Sequence, residues 1–149
     1  MDDKKLLFIV NPRAGKPKSL APLFDAAAIY SEAGYLVSVR KTTHRGEATE
    51  LAESLGPEFD VVVCHGGDGT LNECVNGAAG LPNAAVTHFP CGTGNDFIKM
   101  FGKDKDRFFD LTELINGEVR PIDVIKCNGR YSVNICSMGL DARVGTDVH

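Results

Sequence analysis

Four short apolar or alternating segments constrain the fold most strongly, because each is followed by a loop and a segment of helical pattern. Such segments, bounded by turn residues, are typical of β-strands. Repeated strand–loop–helix units predict a parallel sheet with helices on both faces, and therefore a three-layer α/β fold. The predicted strands are Leu6–Val10, Leu36–Lys41, Val61–His65 and Ala85–Phe89, and the predicted helices are Leu20–Ala33, Glu47–Leu55, Leu71–Val75, Phe97–Phe101 and Arg107–Ile115.

The pattern of the chain changes after Pro121. Two apolar segments, Ile122–Cys127 and Arg130–Cys136, flank the dipeptide Asn128-Gly129. This dipeptide favours a type I′ turn, because both of its residues readily adopt positive φ. We expect an antiparallel hairpin here, in contrast to the parallel units before it.

Composition limits the class of protein and its compartment. The net charge of −4 argues against a broad nucleic-acid surface, so we expect no nucleic-acid partner. The five cysteines lack the spacing of a metal site or a disulfide framework, which predicts reduced thiols. No apolar run has the length of a signal-peptide core or a membrane span. We expect a cytoplasmic protein whose contact with a membrane is peripheral.

Three glycine-rich loops follow predicted strands: Asn11–Gly15, Gly66–Thr70 and Gly92–Asp96. In a parallel sheet such loops lie along the edge formed by the carboxyl ends of the strands, where ligands bind. Successive N–H groups in glycine-rich turns and at helix starts bind anions, so we predict a phosphate site. Tight turns without a ligand are the alternative. The spacing fits neither a Walker A loop nor a dinucleotide fingerprint.

Two acidic residues stand within these loops. Asp68 would repel a bare phosphate, but it suits a site where Mg²⁺ lies between them or where a carboxylate positions an attacking hydroxyl. Its alternative role is to accept hydrogen bonds from N–H groups of a turn. Asp96 repeats the pattern beside the third loop, which favours the functional interpretation. Thr70 and Thr93 could bind phosphate oxygens through their hydroxyl groups or act as helix N-caps.

Several basic residues flank the first and third loops and are candidates for binding phosphate, with an ordinary solvated surface as the alternative. They are Arg13, Lys16, Lys18, Lys99, Lys103 and Lys105. The histidines form no ligand cluster in the sequence. His65 and His88 end predicted buried strands, where a hydrogen-bonded structural role is expected.

Three motifs resemble one known family: FIVNPRAGK at 8–16, GGDGTLNECVNG at 66–77 and FPCGTGNDF at 89–97. They are similar to the catalytic domain shared by diacylglycerol, sphingosine and ceramide kinases, and most similar to the soluble bacterial diacylglycerol kinase-like enzymes. The resemblance implies the fold of NAD kinases and phosphofructokinases. It also implies ATP as phosphoryl donor, Mg²⁺ as cofactor and a lipid hydroxyl at a membrane surface as acceptor.

The resemblance also implies roles for particular residues. Asp68 and Asp96 would lie near the transferred phosphate as catalytic residues, and Asp68 would hold the metal. Thr42 enters the set only through the resemblance. The implied ATP-binding residues are Asn11, Pro12, Arg13, Ala14, Gly15, Lys16, Thr42, Gly66, Gly67, Asp68, Gly69, Thr70, Leu71, Asn72, Gly92 and Thr93.

Members of this family are about twice as long as this chain and carry a second, β-rich domain. That domain provides the glutamate proposed as catalytic base and a structural Mg²⁺ site. We therefore interpret residues 1–120 as an ATP-binding domain and residues 121–149 as the beginning of a truncated second domain. We expect an inactive fragment, which could associate into homo-oligomers. The competing interpretations are a small-molecule kinase related to NAD kinase or phosphofructokinase, and a non-catalytic nucleotide-binding module.

Overall fold

The computed structural model of the protein describes residues 3–15, 21–134 and 136. No helix in this part of the chain is both long and apolar enough to cross a membrane. The strands are β1 (Lys4–Val10), β2 (Tyr35–Lys41), β3 (Val61–Gly66), β4 (Ala85–Pro90), β5 (Ile125–Cys127) and β6 (Arg130–Ser132). The α-helices are α1 (Ala21–Glu32), α2 (Glu47–Leu55), α3 (Asp68–Ala78), α4 (Asp96–Lys99) and α5 (Leu111–Ile115), with 3-10 helices at Gly56–Glu58 and Gly102–Phe109.

The first four strands form one parallel sheet in the order β2-β1-β3-β4. The central strand β1 pairs on both sides, so that Val10 lies opposite Lys41 on β2 and His65 on β3. All four strands therefore end at the same edge of the sheet. The predicted parallel α/β architecture is confirmed.

Alternate residues of β1 enter two separate cores. Leu7 and Ile9 pack with residues of α2 and α3 on one face of the sheet. Phe8 and Val10 pack on the other face with residues of α1, including Tyr30. Each fully buried side chain of this size stabilises the fold by about 1.5–3 kcal/mol. Both faces of the sheet are covered, which is the predicted three-layer arrangement.

The helix predicted at Arg107–Ile115 is confirmed only in its second half, because the chain is not one continuous helix. The segment consists of the 3-10 helix Gly102–Phe109, then Asp110 in an extended conformation, and then α5. The carboxylate of Asp110 accepts hydrogen bonds from the N–H and the hydroxyl of Thr112, at 2.9 and 2.6 Å. A short acidic side chain that bonds the backbone ahead of it favours a new helix start over a continuous helix.

The hairpin predicted after Pro121 is present but shorter than expected. Strands β5 and β6 are antiparallel, and the turn residues Asn128 and Gly129 have φ of 48° and 77°. The hairpin docks on α3 through Asn76, whose amide donates to the carbonyl of Tyr131 at 2.8 Å and accepts from its N–H at 2.9 Å. Residues 137–149 lie outside the described part of the chain.

Candidate functional site

A cleft of about 1030 Å³ opens at the edge where the parallel strands end. All three glycine-rich loops contribute to its lining, together with the loop between β2 and α2. The lining residues are Asn11, Arg13, Ala14, Gly15, Thr42, Thr43, His44, Arg45, Gly67, Asp68, Gly69, Thr70, Glu73, Cys91, Gly92, Thr93 and Gly94. The structure thus brings most of the predicted site residues to one cavity.

The first loop follows β1 and is connected to both β3 and α3 by Asn11. The N–H of Asn11 donates to the carbonyl of His65 at 2.9 Å. Its side-chain amide donates to the hydroxyl of Thr70 at 3.0 Å, and its side-chain oxygen accepts from the N–H of Arg13 at 3.0 Å. These bonds hold the loop beside the start of α3. Pro12 is exposed and does not line the cleft, and Lys16 lies outside the described residues.

The second loop is shorter than the sequence predicts, because α3 begins at Asp68 and not at Leu71. Gly67 is extended, and its carbonyl accepts the N–H of Leu71 at 3.0 Å as the first bond of the helix. The remaining N–H groups of the first turn have no partner within the helix and make the end of α3 suitable for an anion. Leu71 itself is buried in the core, and neither it nor Asn72 lines the cleft.

The three loops approach one another through glycine. A Cβ placed on Gly92 would lie 2.7 Å from the Cα of Gly67, which no side chain could accommodate without a shift of backbone. A Cβ placed on Gly15 would lie 2.2 Å from the carbonyl oxygen of Cys91, and φ of Gly15 is +75°. Glycine is needed at these positions because backbone meets backbone.

Asp68 connects the second and third loops. Its Oδ1 accepts the N–H groups of Asp96, at 2.7 Å, and Phe97, at 3.5 Å, and so caps the start of α4. Its Oδ2 faces Gly94, since a Cβ on that glycine would lie 2.9 Å from it and 3.6 Å from Oδ2 of Asp96. The other oxygen of Asp96 pairs with Lys99, and this hydrogen bond raises the pKa of the lysine. The two carboxylates therefore flank one point at the third loop, although Asp96 is not part of the cleft lining.

The loop of residues 42–46, called here the β2–α2 loop, forms another wall of the cleft. Thr42 is buried and donates its N–H to the carbonyl of Val10 at 2.8 Å. The carboxylate of Glu47 accepts the N–H groups of Thr43 and His44, and also the hydroxyl of Thr43 at 2.8 Å. These bonds, led by that from the N–H of Thr43, lower the pKa of Glu47.

The resemblance extends over TTHRGEA at 42–48, but it assigns a binding role in the β2–α2 loop to one threonine alone, Thr42 or its neighbour Thr43. The other cleft residues to which it assigns no role are His44, Arg45 and, on α3, Glu73. A signal was available in the topology: a loop that follows a parallel strand lies at the same edge as the glycine-rich loops. Every loop that follows a strand of the parallel sheet, and not only the glycine-rich ones, therefore contributes to the cleft.

Two buried histidines, His65 and His88, contact residues at the second and third loops from within the core. The Nε2 of His88 lies 2.8 Å from the carbonyl oxygen of Gly66, which requires the proton on that nitrogen. Burial lowers the pKa of His88, so the ring is neutral. The sulfur of Cys91 lies 3.4 Å from Nδ1 of His65, and burial raises the pKa of this thiol to about 11. A neutral thiol is a weak nucleophile, so these groups are structural in character.

The described residues contain no cluster of three or more histidine, cysteine, aspartate or glutamate side chains that could hold a metal ion by themselves. Asp68 and Asp96 are the carboxylates that come together at the loops.

The diacylglycerol kinase catalytic domain matches residues 5–127 of this chain. Diacylglycerol kinase of Bacillus subtilis (strain 168) is 37% identical over 148 residues, which are 97% of this chain and 49% of that protein. Diacylglycerol kinase of Staphylococcus epidermidis (strain ATCC 12228) is 38% identical over 138 residues, which are 91% of this chain and 44% of that protein. The chain therefore spans about half the length of the relatives that it matches.

Solved structures give the same result. A putative diacylglycerol kinase from Bacillus anthracis str. Sterne superposes with a TM-score of 0.73 at 30% identity, over 88% of this chain and 47% of that one. The crystal structure of another chain with the same description gives a TM-score of 0.70. The parallel sheet, its glycine-rich edge and these matches define the class: the chain belongs to the diacylglycerol kinase catalytic domain family. The resemblance seen in the sequence is confirmed.

Proposed function

We propose that this chain is the nucleotide-binding part of an ATP-dependent lipid kinase. The enzyme would transfer the γ-phosphoryl group of ATP to the hydroxyl of a lipid such as diacylglycerol at a membrane surface. One observation supports this most directly. The three glycine-rich loops approach one another closely and line a single cleft, to which Asp68 also contributes. Family membership narrows the acceptor to a lipid.

The triphosphate would bind where backbone N–H groups are free. The first turn of α3 provides such groups at Gly69 and Thr70, beside a positive helix end. Arg13 and Thr93 line the same cleft and can add a cation and a hydroxyl. In phosphoryl transfer most of the rate enhancement comes from positioning and from charge stabilisation, which is what such groups provide.

The donor set beside the loops fits Mg²⁺. This ion commonly takes one or two carboxylates and completes its shell with phosphate oxygens and water. Asp68 offers Oδ2, because its Oδ1 is already engaged by two N–H groups, and Asp96 lies beside it. When bound there, Mg²⁺ would neutralise charge on the phosphate oxygens. The N–H groups of Asp96 and Phe97 fix the orientation of the Asp68 carboxylate.

Binding and deprotonation of the lipid hydroxyl would need residues beyond this α/β unit. The relatives are about twice as long as the region matched here. We propose that residues 1–120 form the ATP-binding domain, that residues 121–149 lead into a β-rich domain, and that this second domain supplies the base for the lipid hydroxyl. The 149 residues alone would then bind nucleotide weakly and would not turn over.

Nucleotide binding is tested by a thermal melt of the chain with Mg-ATP, with NAD⁺ as control. A ligand at 100 times its Kd stabilises a fold by about 2.7 kcal/mol, which corresponds to a rise in Tm of roughly 2–8 °C. We expect a rise with Mg-ATP and none with NAD⁺. A cooperative melt that neither ligand shifts would contradict a nucleotide site within these residues, and a shift with NAD⁺ alone would favour a different kinase.

The role of Asp68 is tested in a longer protein that contains the second domain. Asp68→Asn keeps an oxygen that can accept the N–H of Asp96, but it removes the charge. We expect loss of lipid phosphorylation with an unchanged melting temperature. Retained turnover in Asp68→Asn would show that Asp68 is only a cap for α4. Appreciable lipid kinase activity of the 149 residues alone would contradict the assignment of the base to the second domain.

A further inference from the structure

The side-chain amide of Asn76, on α3, joins that helix to the hairpin of β5 and β6. Its nitrogen donates to the carbonyl of Asn72 and to the carbonyl of Tyr131, each at 2.8 Å. Its oxygen accepts the N–H of Tyr131 at 2.9 Å. Both donors and the acceptor oxygen are therefore in use, and the bond to the preceding turn of α3 fixes the orientation of the amide.

Asn76 binds β6 as a neighbouring strand would. The hairpin has a two-residue turn, so Cys127 and Arg130 face each other as a hydrogen-bonded pair. The next pair, Lys126 and Tyr131, is a non-hydrogen-bonded pair, and the backbone groups of Tyr131 point away from β5. The amide of Asn76 meets both of these groups. A side chain of α3 thus pairs with the outer edge of β6.

The segment before β6 has little burial to fix its place. Residues 116–130 are all exposed, and they include the whole of β5. Burial begins again at Tyr131, and Val133 is only 7% exposed, because it lies in the same core as Phe97. Asn76 and Val133 therefore hold β6 on the α/β unit, and they set the direction in which the chain continues from it.

The same elements also orient Asp68. Phe97, which shares a core with Val133, donates its N–H to Oδ1 of Asp68 at 3.5 Å. Asn76 follows Asp68 by eight residues on α3, which is about 12 Å along a helix axis. A domain that follows β6 would therefore take its position relative to Asp68 from α3, through the contact with Asn76.

Two observations indicate that further structure covers the hairpin and the adjacent face of α3. Four apolar side chains between α5 and the turn are 38–77% exposed: Val119, Ile122, Val124 and Ile125. The Oδ1 of Asn72 is buried, and no donor reaches it among the residues that the structure describes. An unpaired buried acceptor and an exposed apolar cluster are both unfavourable. The second domain is the occupant that the relatives indicate, because this chain spans about half of their length.

We infer that Asn76 is a positioning residue for phosphoryl transfer: it holds β6 on α3 so that the second domain brings its base to the acceptor hydroxyl near Asp68. The inference rests on the proposed function, because it needs a lipid kinase whose second domain follows this hairpin. It assigns to Asn76 an effect on turnover and none on nucleotide binding, since Asn76 does not line the cleft.

The test uses the longer protein that contains the second domain, with Mg-ATP and diacylglycerol in detergent micelles as substrates. Asn76→Ala removes both bonds to Tyr131, while alanine favours the helix. We expect kcat to fall on the order of 10- to 100-fold, as for a small misplacement of a catalytic group. The KM for ATP should stay unchanged. If Asn76→Ala does not fold, Asn76→Ser, whose hydroxyl cannot pair with both groups of Tyr131, replaces it with the same expectation.

A second measurement and a control make the test specific. In the ¹⁵N-labelled chain of 149 residues, Asn76→Ala should shift the amide resonance of Tyr131, whose acceptor is lost, and leave the affinity for Mg-ATP unchanged. Asn83→Ala removes the same kind of side chain from an exposed position just before β4, at the edge where the strands begin. This control should change neither the Tyr131 resonance nor kcat.

The outcomes separate this inference from the proposed function. If the longer protein with Asn76 unchanged phosphorylates no lipid, the proposed function fails and the inference fails with it. If Asn76→Ala shifts the Tyr131 resonance but keeps its kcat, the contact is only structural and the inference alone fails. A higher KM for ATP, or weaker ATP binding, would place the effect in the nucleotide site and overturn the inference. An equal loss of kcat in Asn83→Ala would reveal a general effect and also overturn it.

Discussion

The two sides of the cleft are held by different means. On the side of the glycine-rich loops, Gly15, Gly67 and Gly92 bring backbone against backbone, and an added Cβ on Gly15 or Gly92 would overlap its neighbours. On the side of the β2–α2 loop, Gly46 has open space around it, and the backbone is held by Glu47 and Glu73. The first side has one geometry that packing enforces, whereas the second has a geometry that two side chains maintain.

This difference predicts how each side tolerates substitution. Overlap of backbone atoms must be relieved by moving whole segments, and interiors of this density resist such movement. Loss of one hydrogen bond to an exposed loop has a smaller effect on stability and acts mainly on the position of that loop. The cleft therefore has one side that is fixed by backbone contacts and another that is held by side-chain hydrogen bonds.

The largest effect should come from a matched pair of glycine substitutions. Gly15→Ala and Gly46→Ala both place alanine at positive φ, at +75° and +91°, but only at Gly15 does the new Cβ meet a carbonyl oxygen. We expect Gly46→Ala to lower the free energy of unfolding by about 1 kcal/mol. Gly15→Ala should lower it by about 3 kcal/mol, because overpacking is added to strain. Urea denaturation measures both, and equal losses would disprove the proposed difference between the sides.

A smaller effect should follow from removing the hydrogen bond between Asn11 and Thr70, which joins the first and second glycine-rich loops. Asn11→Ala removes the donor to the Thr70 hydroxyl and the acceptor for the N–H of Arg13. We expect a loss of about 1–2 kcal/mol in the free energy of unfolding. Asn11→Asp should lose less, since it keeps the acceptor and can take the Thr70 hydroxyl as a donor. A double-mutant cycle with Thr70→Val should show coupling, and strict additivity would contradict the contact.

The buried His88, which is hydrogen-bonded to the carbonyl of Gly66, should make the free energy of unfolding depend on pH. Burial lowers the pKa of His88 from 6.5, so the unfolded chain takes up a proton before the folded chain does. Stability should therefore fall as pH decreases below about 6.5, by at most about 1.4 kcal/mol per pH unit for one group. His88→Gln keeps an N–H for the carbonyl of Gly66 and cannot ionise. The melting temperature should fall less between pH 7 and pH 5.5 for this variant than for the unchanged chain. An equal fall in both would contradict the assignment.

The smallest effect on stability should come from Glu47, which holds the β2–α2 loop. The hydrogen bonds from Thr43 lower the pKa of Glu47, so the stability that this partly exposed carboxylate contributes is fully present above pH 4.5. It is lost as pH falls through the lower pKa of the folded state. Glu47→Gln keeps an acceptor and should change the melting temperature at pH 7 less than any variant above. Its melting temperature should also fall less between pH 5 and 3 than that of the unchanged chain.

Sequence patterns predicted the sheet because its signals are local. The apolar runs of β1 and β3 are ended by turn-forming residues. Their predicted carboxyl ends, Val10 and His65, are therefore within one residue of the observed ends. The sequence predicts the start of α3 three residues too late, at Leu71 and not at Asp68, because Gly-Asp-Gly has the composition of a loop. The first turn of a helix accepts such residues, since its N–H groups need no partner within the helix.

The rest of the site depends on contacts between distant parts of the chain. Asn11 meets Thr70, Glu73 meets Gly46, and the Gly67 backbone meets Gly92 only after the sheet has formed. No local pattern announces such pairs, and the motif resemblance indicates which residues matter without saying which of them touch.

The central place of β1 has a consequence for how the protein is made. This strand is synthesised before the other strands of the sheet, yet one of its two partners, β3, begins only at Val61. The apolar run from Leu6 to Val10 must therefore wait, with one hydrogen-bonding edge open, while about fifty further residues are added at roughly 5–20 residues per second. An unpaired apolar edge is a template for association with other chains. The nascent chain therefore carries an unpaired apolar strand edge until β3 has been synthesised and can pair with β1.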